Sequence, residues 1–116
     1  MYKLLILPIL AAVVVAQSQN PALAPLTALS IQDIEQVMQD SARVKFIVSC
    51  LLAKKSCPED PLADPVQTLV KGWADSKTIC GDCSLEDQRK TRTMVSILQQ
   101  RYRDDYNAVA STYGLV

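Results

Sequence analysis

The chain has 116 residues, with 12 basic and 12 acidic side chains and no histidine. That length allows one domain. The balanced charge offers no basic surface for nucleic acid and no polybasic run for an anionic membrane, and without histidine there are no imidazole triads, His-dependent metal sites or imidazole switches.

The first sixteen residues read as a removable leader. Met1-Tyr2-Lys3 carries a positive charge, Leu4 to Val15 is apolar apart from Pro8, and Val14-Val15-Ala16 ends the run before Gln17-Ser18-Gln19-Asn20 turns polar. This is the layout of a secretory signal peptide. The apolar run falls short of the ~20 residues that span a bilayer, so a membrane anchor is the weaker reading. Segment 17–29, with Pro21 and Pro25 among Ala, Leu and Thr, shows no period and reads as an extended or disordered N-terminal arm.

From residue 30 onward the pattern is helical. Ser30 caps a short helix over 31–39 with Asp33 in its first turn and Ile31, Ile34 and Met38 at helical spacing. After Asp40-Ser41, the residues Val44, Ile47, Val48, Leu51 and Leu52 make one apolar face, and Lys54-Lys55 put positive charge at the helix end. Asp64-Pro65 opens the next helix, whose stripe is Leu62, Val66, Leu69, Val70 and Trp73. Ser84 caps a long helix to about 102, with Glu86 and Asp87 in its first turn and Thr91, Met94, Val95, Leu98 and Tyr102 on one face. A last helix starts near Asp104-Asp105, carries Tyr106, Val109, Ala110 and Tyr113, and stops at Gly114. Five or six amphipathic helices imply an all-α bundle over 30–116. The acids read as caps and solubilising charges, and Arg89, Lys90 and Arg92 as a solvated face.

Four cysteines, Cys50, Cys57, Cys80 and Cys83, are spaced C-x6-C-x22-C-x2-C. In a secreted chain they read as two disulfides, with three pairings open. Cys80-Gly81-Asp82-Cys83 is also the form of a thioredoxin-like redox motif, but no βαβ pattern surrounds it. A zinc site would want a tighter first knuckle than C-x6-C. A structural bridge is the preferred reading.

The residues Cys50-Leu51-Leu52 with Cys57, then Cys80-x-x-Cys83-Ser84, resemble the arthropod chemosensory protein family. Gln88, Val95, Leu98 and Arg101 repeat that family's downstream Q-x6-V-x2-L-x2-R pattern. The resemblance spans about 30–113. The 22-residue gap between the cysteine pairs is longer than is usual there, and Ile47 stands where the family often has tyrosine. The resemblance implies a secreted, all-α protein whose cysteines bridge neighbour to neighbour, Cys50 to Cys57 and Cys80 to Cys83, in two small rings. It also implies an apolar channel for fatty-acid-like lipids, pheromones or odorants.

The expected function is therefore a soluble, monomeric carrier of small hydrophobic ligands, with no catalytic step and no cofactor. Its expected lining is Val44, Ile47, Val48, Leu51, Leu62, Val66, Leu69, Val70, Trp73, Met94, Val95, Leu98, Tyr102 and Tyr106. Tyrosine hydroxyls could hold a ligand's head group. A membrane receptor is a further candidate partner. Helical periodicity alone does not separate a hollow bundle from a filled one. The alternatives are accordingly a secreted helical interaction or developmental protein with a filled core, and a thiol-disulfide oxidoreductase using Cys80 and Cys83.

Overall fold

Ser30 and Asp33 close a reciprocal cap: the Ser30 hydroxyl accepts from the Asp33 amide at 3.0 Å, and the Asp33 carboxylate accepts from the Ser30 amide at 3.1 Å. Two of the amide donors orphaned at a helix start are satisfied this way. The helix so opened is one of six in the computed structural model, which describes residues 21–81 and 83–115. The leader expected over 1–16 lies outside the described residues.

After a 3-10 turn at Pro21–Leu23 come α1 (Ala24–Thr27), α2 (Ile31–Gln39), α3 (Ser41–Ala53), α4 (Ala63–Ser76), α5 (Leu85–Arg101) and α6 (Arg103–Tyr113). No strand occurs among the described residues. The side chain of Asp40 caps α3 through the Arg43 amide, and that of Ser84 caps α5 through the Asp87 amide. Lys54, Lys77 and Gly114 end α3, α4 and α6 in left-handed backbone, at φ of 54°, 66° and 68°. Glycine takes that conformation freely, whereas the two lysines hold it at some cost.

The arm differs from its expectation. Residues 21–27 are helical rather than extended, and Leu23 and Leu26 are buried. The prolines do not obstruct this. Pro25 stands in the first turn of α1, where an amide hydrogen has no helical acceptor to lose. The two leucines, three residues apart, anchor the turns onto α4.

α2 packs on α5 and α3, α3 on α6 and α4, and α6 on α5 and α4. The successive helices α4 and α5 do not pack closely against each other. The exposure pattern of α5 agrees. Its buried residues are Asp87 and Thr91, while Met94, Val95, Ile97 and Leu98 are only half-buried. Leu52, expected on the inner face of α3, is 40% exposed. At 100° per residue it falls at the edge of the stripe centred on Val44, Val48 and Leu51.

Cys50 is bonded to Cys57, with Cα atoms 6.3 Å apart, and Cys80 to Cys83, at 5.3 Å. The first bridge joins the end of α3 to the α3–α4 loop. Polar contacts hold the rest of that loop. Arg43 reaches Asp60 through two bonds, Nε to Oδ2 at 2.7 Å and Nη2 to Oδ1 at 2.9 Å. Asp64 accepts from the Cys57 amide and the Ser56 hydroxyl. The Arg43 guanidinium bonded to Asp60 holds that carboxyl below the usual carboxylate range, and the Leu62 amide adds to the effect. The Ser56 hydroxyl, with the Cys57 amide, does the same for Asp64.

Candidate functional site

α3 presents Val44, Ile47, Val48 and Leu51 along one face, and all four are buried. Opposite them, Leu62 and the α4 residues Val66, Leu69 and Val70 are buried, and Trp73 is half-buried. These two stripes meet Met94, Val95 and Leu98 of α5 and Tyr106 of α6 around a single cavity of about 80 Å³. Its wall is apolar throughout. Of these lining residues Trp73, Met94, Val95, Leu98 and Tyr106 are half-buried rather than buried.

Of the residues expected to line a channel, all but Tyr102 face this cavity. Tyr102 is turned away. Its hydroxyl donates to the Met38 carbonyl at 2.7 Å, and Lys45 lies over its ring at 5.9 Å from the centroid. Lys45 is itself paired with Asp105 at 2.7 Å. The cause is the break in helix geometry at Tyr102, where φ is −129° and ψ is 51°. The face continuous from Met94 to Leu98 ends there. Tyr113 is engaged in the same manner, donating to the Leu51 carbonyl at 2.7 Å. Of the tyrosines considered as head-group holders, Tyr106 alone lines the cavity.

The cavity has further walls that periodicity did not assign to it. Leu26 and Leu29 enter from the arm, Ile34, Val37 and Met38 from α2, and Val109 and Leu115 from the C-terminal end. The arm and the chain end close the bundle through contacts far apart in sequence, for which a local pattern carries no signal.

Two charged side chains of α5 also stand differently from their expectation. Asp87 is not a solvated first-turn acid but is 4% exposed. Lys90 is not on a solvated face. Its side chain is 13% exposed, and its ammonium donates to the Thr27 carbonyl at 2.9 Å and lies 3.6 Å from Asp87 Oδ1. A separate, larger concavity of about 390 Å³ lies between Leu23, Leu69 and the Cys80–Cys83 corner. Gly72, Ser76, Thr78 and Gly81 on its rim are exposed, which makes it a surface groove.

No helix among the described residues is long and apolar enough to cross a membrane. Residues 28–114 match the insect pheromone-binding family A10/OS-D. No curated protein and no solved structure matches the chain.

Proposed function

The chain belongs to the insect pheromone-binding family A10/OS-D, and from that premise we propose that it is a secreted carrier holding a small hydrophobic ligand between α3, α4 and α5. Residues 1–16 are its leader, 17–29 its arm and 30–116 its binding domain, and it works as a monomer. The observation that carries the proposal is the wholly apolar cavity on which the three helices converge.

The driving force is desolvation. Roughly a dozen methylenes leaving water at ~0.8 kcal/mol each give a gross gain near 10 kcal/mol. Loss of translational and chain freedom takes back about 4 kcal/mol or more, which leaves affinity on the order of tens of micromolar or weaker. The cavity, about 80 Å³, is below the roughly 300 Å³ at the low end of small-molecule sites. A long chain therefore enters by separation of the helices, with the half-buried lining side chains Trp73, Met94, Val95 and Leu98 moving to admit it. The two disulfides leave this motion free, because each closes a ring between near neighbours in sequence. Bridged cysteines, with Cys80 buried at 6% exposure, support a structural role for the C-x-x-C rather than thiol-disulfide exchange.

Displacement of a fluorescent lipid probe, together with native mass spectrometry, tests the proposal. Fatty acids, alcohols or aldehydes of medium to long chain should displace the probe and appear as one-to-one adducts. Failure of all of them would leave the filled-core interaction protein as the better reading.

A further inference from the structure

The spacing Ser-x-x-Asp occurs at two helix starts, Ser30/Asp33 on α2 and Ser84/Asp87 on α5, and the two behave differently. Asp33 is exposed and returns its carboxylate to the Ser30 amide. Asp87 takes only half of this arrangement: its amide donates to the Ser84 hydroxyl at 3.1 Å, but its carboxylate turns inward. There Oδ1 lies 3.6 Å from the Lys90 ammonium, and Oδ2 has no hydrogen-bond partner among the described residues. A buried acceptor left unsatisfied is costly, more so when charged. The cap that would have satisfied it lies within its own first turn.

Asp87 shares its surroundings with the cavity. Leu26, Ile34 and Met94 border the space beside Asp87 and also line the main cavity. That space has no room for water. Met94, unbranched and adaptable, is the side chain whose movement would join the two. Lys90 is engaged by the Thr27 carbonyl and by Oδ1, so Oδ2 remains the open valence at this end.

Building on the carrier reading, we propose that Asp87 is a specificity-determining residue: its Oδ2 accepts a hydrogen bond from a ligand head group that carries a donor, selecting long-chain alcohols over the corresponding carboxylates and ethers. The chain lies along the apolar wall and the hydroxyl ends beside Met94. A carboxylate brings a second acceptor and a second negative charge to the same place. An ether brings no donor.

Probe displacement by the intact protein near neutral pH tests this with a saturated primary alcohol, its methyl ether and the carboxylate of equal chain length. The alcohol should bind about tenfold more tightly than either of the others, as expected for a hydrogen bond to a charged acceptor. Asp87→Asn, equal in shape and able to donate as well as accept, should remove most of the preference over the carboxylate. Alcohol and ether agreeing within about twofold in the native protein would overturn the proposal while leaving the carrier intact. So would an unchanged preference over the carboxylate in a folded Asp87→Asn variant, its fold checked by circular dichroism. If that variant does not fold, the comparison on native protein decides alone. Absence of binding by all three, the ether included, would overturn the carrier and this inference together.

Discussion

The Tyr102 hydroxyl donates to the Met38 carbonyl over 2.7 Å and ties the end of α2 to the junction of α5 and α6. The two residues are 64 apart in the chain. The bond crosses the fold at the point where α5 loses its helical geometry. Removing the hydroxyl leaves the Met38 carbonyl short of a partner at a half-buried position. Tyr102→Phe should therefore lower stability by about 1 kcal/mol, read as a lower urea midpoint at unchanged slope. Ligand affinity should stay as in the native protein, because Tyr102 does not line the cavity. A large loss of affinity at unchanged stability would place Tyr102 in the ligand path after all.

A ring placed inside the cavity separates a hollow bundle from a filled one. Val70→Phe puts a phenyl group into space that the native structure leaves open between α3 and α4. Ligand binding should weaken on the order of tenfold or more, which is about 1.4 kcal/mol. The folding cost should stay under the roughly 1–3 kcal/mol typical of overpacking a filled core. A cost at or above the upper end of that range, with the ligand still bound, would speak for a filled interior.

The Arg43–Asp60 pair gives acid sensitivity a defined origin. Asp60 has its native pKa lowered, chiefly by the bond from Arg43. Its contribution is fully present above the unfolded carboxylate value near ~3.9 and is lost as pH falls through the lower native value. Arg43→Met should cost about 1 kcal/mol near neutral pH, and variant and native stabilities should converge as pH falls through the lowered native value of Asp60. Asp64, also lowered, keeps some acid dependence in both proteins. Denaturant melts at a series of pH values measure the difference. A gap that persisted undiminished in acid would assign the loss to packing of the Arg43 stem.

Gly72 lies inside α4 and has helical backbone, and a Cβ built there meets nothing within 4 Å. Neither close packing nor an unusual backbone angle requires glycine at this position. Gly72→Ala should raise stability by roughly 0.5–1 kcal/mol, seen as a higher midpoint of thermal unfolding. A destabilised variant would mean that α4 departs from regular helix in solution.

Much of this fold is written locally. Ser30 with Asp33, Asp40, Ser84 and Gly114 mark helix ends by chemistry that acts within four residues, and the structure respects each one. The α3 and α4 stripes are also legible, since their residues return to one face by helix geometry alone. What escaped the pattern depends on distant partners. Two turns of helix at 21–27 are too short to show a period, and they form because Leu23 and Leu26 find α4. Asp87 and Asp33 occupy the same local frame, yet Asp87 turns inward beside Lys90, a residue itself drawn to Thr27 from far along the chain. Tyr102 continues a periodic face on paper, but the helix breaks at that residue and the ring swings to Met38 and Lys45.

Cys50–Cys57 and Cys80–Cys83 span sequence separations of 7 and 3. Cutting either one detaches no helix of the bundle from another across the cavity. Chain-entropy reasoning assigns about 2–2.5 kcal/mol to each ring, so a reductant should lower the melting temperature while leaving cargo bound at ordinary temperature. On the carrier reading, grip on the ligand and covalent integrity are thereby uncoupled. On that reading, the protein would keep its ligand after its two bridges had been reduced.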